Sequence, residues 1–413
     1  MQLTMQGGRV VASGPKRNEM MERLREVNQV FLPARPVSDQ ELLAGRNDQL
    51  FNLLEMTFTP GAHAAIYGER GVGKTSVAAV FEIISRVQDN LTARINCNIN
   101  EDFGRIWINM ADHILDVAAR TGLVPIEVAR DAMDTLSYSQ APADVVRYLR
   151  RIVEHTPLVL IFDEFDIVGD AIVSESFANL MKAISDLGIN AHLVIVGVAE
   201  DIDALLEGHA SVARGLHQIK IPRLNDDELF NIIDRGAQKL HISFDDKVRQ
   251  SIVTLSQGLP HYTHLLAQQA ARWAIIGGRD KVLPEDWQPA LSAALRQMQQ
   301  QILDLYHIAT ASAKQTMFPD LILACALAAK DIQGFFRPTD VVIPLQQVTG
   351  KQYQIPGFVK NLAALAGEDR GPILETKVFA DRRPRYRFKN PLLQPYVLIK
   401  ALNDGKRLPG FNP

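Results

Sequence analysis

One eight-residue stretch constrains this chain more than any other. Residues 68–75 read Gly-Glu-Arg-Gly-Val-Gly-Lys-Thr and fit the pattern G-x-x-x-x-G-K-[ST] at every position. Glycines let the backbone curl until successive N–H groups point at phosphate oxygens, an approach that a Cβ would obstruct. The apolar run 64–67 precedes the loop, and apolar residues recur at helical spacing from Val77 to Val87 after it. Strand, glycine loop and helix in this order predict a site for a nucleoside triphosphate.

The residues of this loop have distinct predicted roles. Lys74 is expected to lie along the β- and γ-phosphates, where it serves binding and catalysis, and Thr75 offers a hydroxyl to Mg²⁺. The helix that begins there presents unpaired N–H groups and the positive end of its dipole to the anion. The loop residues predicted to contact the nucleotide are Gly68, Gly71, Val72, Gly73, Lys74, Thr75 and Ser76.

A second apolar run, residues 158–162, ends in Asp163 and Glu164. A continuous apolar run is typical of a strand covered by helices on both faces. Because ligands of open parallel sheets collect at the carboxyl ends of strands, Asp163 is the predicted Mg²⁺ carboxylate. Glu164 is the predicted group that polarises the attacking water. The alternative is that these acidic residues only cap a strand or start a helix.

Two further strand-like runs, residues 92–97 and 192–198, are separated from the others by helical patterns. Strands that alternate with helices predict a parallel, doubly wound sheet. The fold class expected from the residues is therefore α/β.

These motifs resemble AAA+ P-loop ATPases of the origin-recognition (initiator) clade and the neighbouring STAND ATPases, and the similarity extends over nearly the whole chain. Residues 31–33 and 42–50 resemble the segments that wrap the adenine in that clade. The resemblance implies a parallel P-loop NTPase (AAA+) sheet with a helical lid and a C-terminal winged-helix domain. It also implies ATP as ligand, ATP hydrolysis, and assembly of the chain with further copies of itself.

The resemblance extends to catalytic positions, with departures. Arg214 resembles the arginine finger that reaches the γ-phosphate of a neighbouring subunit, with Arg223 as its main competitor and a plain exposed arginine as the alternative. Residues 258–260, Gly-Leu-Pro, resemble the GxP motif of STAND ATPases, in which Pro260 would contact the base; a plain helix start is the alternative. Ala199 or Glu200 stands where the family has a polar donor, which favours a slow switch over fast hydrolysis.

The end of the chain differs in charge from the rest. From residue 316 onward there are 14 Lys and Arg against 8 Asp and Glu, a balance of +6, so the remainder of this chain of net charge −3 carries −9. Three helical patterns followed by two strand-like runs resemble a winged helix, and a basic module of this kind favours double-stranded DNA as partner. The alternative is a protein-docking or autoinhibitory module. The predicted DNA contacts are Lys360, Arg382, Arg383, Arg385 and Arg387.

Length and composition bound the remaining possibilities. A chain of 413 residues predicts two or three domains. The predicted ranges are an accessory segment 1–30, a nucleotide-binding core 31–224, a lid 225–282, a connecting helix 283–315 and a winged-helix domain 316–413. Two cysteines and the lack of a signal peptide or an eighteen-residue apolar run predict a cytoplasmic protein without disulfides or a membrane partner.

Three functional hypotheses remain open at this stage. The first is an ATPase whose nucleotide state controls assembly and engagement of DNA in replication, transposition or defence against mobile DNA. The second is a STAND-type switch that gates a partner effector protein. The third is an inactive ATP-binding scaffold.

Overall fold

The computed structural model describes residues 15–136, 141–197, 215–312, 316–331, 333–379 and 382–408. The chain divides into two compact units. The first is Arg35–Leu224, and the second combines Met1–Ala34 with Asn225–Pro413.

The first unit is built on a five-stranded parallel sheet in the order β2-β3-β4-β1-β5. The helix α1 (Pro15–Val30) belongs to the second unit. The elements of the first unit are α2 (Asn47–Met56), β1 (His63–Tyr67), α3 (Lys74–Val87), β2 (Leu91–Asn96), α4 (Phe103–Thr121), α5 (Ile126–Met133), α6 (Pro142–Val153), β3 (Leu158–Asp163), α7 (Ala171–Asp186), β4 (Ala191–Gly197) and β5 (Leu216–Lys220).

Helices cover both faces of this sheet, which explains why its central strands are apolar throughout. Every residue of β3 and β4 is buried. On one face, Trp107 of α4 and Phe177 of α7 pack on Phe162, with the rings of Phe162 and Phe177 edge to face at 4.9 Å. The helix α3 packs against β2 and β3. The prediction of a parallel P-loop sheet with flanking helices is confirmed.

The second unit is mostly helical. Its remaining helices are α8 (Asp226–Lys239), α9 (Asp246–Ser256), α10 (Pro260–Ile276), α11 (Trp287–Arg296), α12 (Gln300–Thr310), α13 (Phe318–Leu327), α14 (Pro338–Thr349), α15 (Val359–Ala364) and α16 (Leu393–Asn403). Its strands form two pairs, the short parallel β6 (Ser243–Phe244) with β7 (Lys281–Val282) and the antiparallel β8 (Leu374–Val378) with β9 (Pro384–Phe388).

Side chains of α10 bind the backbone of the segment after α1 through three hydrogen bonds. The amide of Gln268 donates to the carbonyl of Phe31 (2.7 Å), Nδ1 of His264 accepts from the N–H of Leu32 (3.3 Å), and a ring nitrogen of His261 bonds to the carbonyl of Pro33 (2.9 Å). Residues 31–33, expected in the nucleotide-binding core, therefore lie in the second unit.

The prediction of a single connecting helix in 283–315 is wrong, because the described residues of this range, 283–312, form two α-helices. The first, α11, ends at Arg296, and α12 begins at Gln300 after an extended Gln299 (φ −60°, ψ 132°). The side chain of Gln297 accepts a hydrogen bond from Gln269 of α10 (3.1 Å). Both helices bury a stripe of apolar residues, so apolar residues keep their helical spacing through the bend. Periodicity alone therefore could not locate the break.

Hydrogen bonds also join α10 and the C-terminal end of α9 to the last described segment of the chain. The hydroxyl of Tyr262 on α10 donates to the carbonyl of Leu392 (2.6 Å). The buried amide of Gln394 donates to the side chain of Gln257 (2.6 Å) and to the carbonyl of Ala326 (3.0 Å). Because buried amides need partners, these bonds fix α16 against α10 and α13.

Two buried histidines, His63 of β1 and His192 of β4, lie on neighbouring strands of the sheet of the first unit. Nε2 of His63 donates to the carbonyl of Met181 (3.0 Å), and its Nδ1 accepts from the N–H of Leu193 (3.1 Å). Because a backbone N–H can only donate, Nδ1 must be unprotonated and the ring neutral. Burial lowers the pKa of His63 to about 3, against the opposing effect of the Met181 bond and with a smaller contribution from His192.

We predict that this histidine makes the fold sensitive to acid. The folded pKa of about 3 lies below the ordinary value of 6.5, so the unfolded chain takes up the proton first and stability is lost as pH falls through that window. One such proton lowers the free energy of unfolding by up to about 1.4 kcal/mol per pH unit. Urea unfolding at a series of pH values measures how the free energy of unfolding depends on pH. The contribution of His63 to this dependence should be missing in His63→Gln and retained in His217→Gln, in which the replaced histidine is exposed on β5. Equal slopes in wild type and His63→Gln would contradict it.

Candidate active site

The glycine loop joins β1 to α3 and has a backbone that requires its glycines. Gly71 and Gly73 have φ values of 88° and 98°, in the left-handed region. Gly68 has a φ of 156°, and a Cβ built on it would lie 2.4 Å from the carbonyl oxygen of Ile221. The close approach of this backbone to the segment after β5 therefore excludes any larger residue at position 68.

Lys74, the first residue of α3, folds back along the loop. Its Nζ donates to the carbonyl oxygens of Gly68 (3.0 Å) and Glu69 (3.1 Å). Burial lowers the pKa of Lys74, while the nearby carboxylates of Asp166 and Asp163 oppose that shift. A half-buried ammonium ion at the start of a helix is suited to binding a polyanion.

The carboxylate of Asp163 lies at the end of β3 with no exposed surface. Its Oδ1 accepts from the hydroxyl of Thr75 (3.3 Å) and from the N–H of Glu164 (2.9 Å), and its Oδ2 lies 3.4 Å from Nη1 of Arg94. Burial raises the pKa of Asp163, and these three donors oppose the shift. The fold thus brings together two predicted Mg²⁺ ligands, Thr75 and Asp163, that are 88 residues apart in the chain.

Glu164 adopts an unusual backbone conformation beside this carboxylate. Its φ of 56° and ψ of 33° are left-handed, and the residue is exposed at the start of the 3₁₀ turn Phe165–Ile167. A non-glycine residue in this region costs on the order of 1–3 kcal/mol and occurs most often where function requires it. The conformation turns Glu164 outward while its N–H stays bonded to Asp163.

Sequence reasoning missed the residues that brace this site. Arg46 is 3% exposed and donates to the carbonyls of Val72 (3.1 Å) and Pro222 (2.8 Å). It lies in a stretch that the resemblance singled out, but no pattern gave it this role. Arg94 is the other omission, and its only signal was a charge within the otherwise mainly apolar β2.

Two further predicted positions hold the loop in ways that the sequence did not suggest. Nε of Arg223, the competitor for the arginine finger, lies 2.8 Å from the carboxylate of Glu69 in the same chain. The hydroxyl of Ser76 accepts from the N–H of Val37 (3.1 Å). Both contacts fasten flanking segments of the first unit to the loop.

The remaining predicted site residues are dispersed. Arg214, and the sensor positions Ala199 and Glu200, fall in 198–214, outside the described residues. Pro260 begins α10 in the second unit, as a plain helix start would, and its contact with a base stays a prediction. Lys360 is exposed on α15.

The four predicted arginines of the β8–β9 hairpin fall into two groups. Arg382 and Arg383 are exposed at its tip. Arg385 pairs with Asp331 (3.5 Å) and lies over a phenylalanine ring, with 4.4 Å from its Cζ to the ring centroid. Arg387 pairs with Glu375 and likewise stacks on a ring, at 4.6 Å. The two arginines on β9 therefore both contact a carboxylate and an aromatic ring within the second unit.

The donor set around Asp163 fits magnesium. Among the residues that the structure describes, no three His, Cys, Asp or Glu side chains gather into a metal cluster. Magnesium is usually held by one or two carboxylates, together with water and substrate phosphates. One buried carboxylate hydrogen-bonded to a hydroxyl at a helix N-terminus is such a set, and Thr75 and Asp163 are the residues that would hold the ion.

Comparison with known proteins agrees with this geometry. Residues 42–196 match the family model described as an AAA ATPase domain. Residues 42–196 are therefore similar to an AAA ATPase domain, and the chain is an ATPase. A search of curated proteins finds no match.

Solved structures share the fold at low identity. The Walker-type ATPase PABY2304 of Pyrococcus abyssi is 16% identical, with a TM-score of 0.54 over 88% of this chain and 99% of that one. The ORC2 protein of Aeropyrum pernix, solved as ADPNP–ADP complexes, is 16% identical, with a TM-score of 0.51 over 92% of this chain and 98% of that one. Such likenesses show the fold. None of the described helices has the length and apolar character needed to cross a bilayer.

Proposed function

We propose that this chain is an ATPase of the initiator and STAND-like kind whose nucleotide state controls its assembly and its engagement of DNA. The single observation that carries the nucleotide part is the contact between Thr75 and Asp163, which unites the phosphate-binding loop with an acidic strand end. The full-length likeness to ORC2 of Aeropyrum pernix, solved with bound nucleotides, supports the same class.

In this proposal four residues of the first unit have defined roles in ATP binding and hydrolysis. Lys74 leaves the loop carbonyls and binds the phosphates. Thr75 and Asp163 would hold Mg²⁺, which would supply positive charge to offset the charge that develops on the phosphate oxygens. Glu164 orients the attacking water. Hydrolysis is slow because Ala199 and Glu200 offer no neutral polar donor at the expected sensor position.

Replacement of Glu164 tests the catalytic assignment. We expect Glu164→Gln to keep ATP affinity while the turnover of ATP falls by about 10²-fold or more, because a neutral amide cannot take a proton from the attacking water as a carboxylate can. Phosphate release and equilibrium binding of ATP measure the two quantities. Glu175→Gln, an exposed glutamate on α7, is the matched control and should hydrolyse ATP as the wild type does. Undiminished turnover in Glu164→Gln would remove this residue from the mechanism.

We further propose that Arg214 completes the site of an adjacent copy. Arg223 is the less suitable finger, since it is paired with Glu69 of its own chain. A finger supplied in trans stabilises the charge of the transferred phosphoryl group.

Subunit mixing tests this arrangement. We expect Arg214→Ala to bind ATP but to lose about 10³-fold in turnover, the usual contribution of such an arginine. Mixing it with Glu164→Gln should restore turnover, because the second variant supplies the arginine to intact sites of the first. Mixing Arg223→Ala with Glu164→Gln should give no gain in turnover. If the Arg214→Ala mixture stayed inactive, the finger would not be Arg214.

The proposed DNA contacts follow from charge and exposure in the second unit. The described order of α13, α14, α15, β8 and β9 supports the winged-helix interpretation, and the segment from residue 316 carries a balance of +6. We assign duplex contact to the exposed Lys360, Arg382 and Arg383. Arg385 and Arg387 act on the shape of the hairpin, since each pairs with a carboxylate and stacks on an aromatic ring.

Salt dependence of duplex binding tests this assignment. Each phosphate contact contributes about −0.9 to the slope of log affinity against log salt concentration, so replacing the three exposed residues by alanine should flatten the slope by up to about 3. Replacing Lys247 and Lys281, exposed lysines of the lid region, should leave it unchanged. A wild type with no salt-dependent affinity for duplex DNA would discard the DNA proposal.

A specific observation favours the second candidate, a STAND-type switch that gates a protein partner. The Gly-Leu-Pro turn that resembles the GxP motif is flanked by Gln257 and Tyr262, and both bond to the last segment of the chain. A nucleotide contact at Pro260 would therefore act close to that segment. This candidate becomes the leading one if duplex binding fails.

A further inference from the structure

Arg94, in the middle of β2, bridges two carboxylates beside the proposed magnesium site. Its Nε lies 2.8 Å from Oε2 of Glu82, and its Nη1 lies 3.4 Å from Oδ2 of Asp163. The side chain of Asp163 is fully buried, that of Glu82 is 12% exposed and that of Arg94 is 25% exposed. The guanidinium is thus the cation that faces the outer oxygen of the buried carboxylate.

The fold brings these groups to one face of the sheet. Arg94 is in register with Ile161 on the neighbouring parallel strand, and Asp163 lies two residues further on, so it shares that face. Thr75 and Glu82 lie seven residues, about two helical turns, apart on α3. One face of α3 therefore reaches both oxygens of Asp163, directly through Thr75 and indirectly through Glu82 and Arg94.

We propose that Arg94 is a positioning residue for the magnesium carboxylate. It holds Oδ2 of Asp163, so that Oδ1 remains aimed at the hydroxyl of Thr75, where the ion would bind. A guanidinium is a planar fork that bonds two carboxylates at once, which a lysine ammonium cannot reproduce in the same geometry. The proposal rests on the assignment of Asp163 as metal ligand, and it gives Arg94 no contact with the nucleotide.

Direct metal binding tests the proposal without reference to turnover. Mn²⁺ is titrated into the ADP complex of the full chain, and free Mn²⁺ is measured by electron paramagnetic resonance. In Arg94→Met the Kd of Mn²⁺ should rise about 10-fold, as is usual when a partner of a metal ligand is removed. Arg94→Lys should behave similarly, because it keeps the charge and loses the fork. ADP affinity in EDTA should stay unchanged in both.

The chain offers a matched control on α3. Arg86 bonds the other oxygen of Glu82 (2.5 Å) and the carbonyl of Thr92, on the same face of the sheet. Arg86→Met should leave the Kd of Mn²⁺ unchanged. If the Kd of Mn²⁺ rises equally in Arg86→Met, the effect comes from packing around Glu82 and the proposal is overturned. An unchanged Kd in Arg94→Met would also overturn it.

A second variant keeps the test decisive if Arg94→Met does not fold. Glu82→Gln retains the charge of Arg94 and weakens its anchor, so the Kd of Mn²⁺ should rise by a smaller factor, and an unchanged Kd would reject the positioning role. A wild-type ADP complex that binds no Mn²⁺ would instead reject the magnesium site itself and with it this inference. If the wild type binds Mn²⁺ tightly and the variants bind it equally well, only the role of Arg94 is rejected and the magnesium site stands.

Discussion

The hydrogen bond between the hydroxyl of Thr75 and the carboxylate of Asp163 is the contact on which the nucleotide-binding unit depends. It exists because β1 and β3 run parallel in one sheet with β4 between them, so their carboxyl ends open on the same edge. Full burial of Asp163 is unfavourable for its charged form, and it is sustained by donors from Thr75, Glu164 and Arg94. The same burial that makes this carboxylate costly makes its interaction with a cation strong.

The second unit has its own constraint, the hydrogen bonds that join α10 and its neighbouring turn to α16. Tyr262 and Gln394 donate into segments that lie far away in sequence, and Gln394 is fully buried. Leaving a buried donor without a partner costs about 1–3 kcal/mol. A rearrangement of α10 must therefore carry α16 with it or break these bonds.

Much of the fold was accessible from local patterns, and the exceptions have a common cause. The glycine loop, the apolar strands and the helical periods each encode their element within about ten residues, so the sheet and the positions of Lys74 and Asp163 could be predicted. The bend after Arg296 could not, since the apolar period continues through it. Arg94 and Arg46 were missed because their partners lie on other elements. The pairing of Arg387 with Glu375 could not be predicted, because it depends on strand register.

The amino-acid sequence by itself determined that this chain has a phosphate-binding loop, a parallel sheet and an acidic strand end, because glycine tolerance and side-chain periodicity act over short distances. Only the tertiary structure decided which polar groups meet. It placed Arg94 on the outer oxygen of Asp163, Arg223 on the loop of its own chain, and residues 31–33 in the second unit. Such pairings depend on strand order and helix packing across the chain, and no local pattern carries that information.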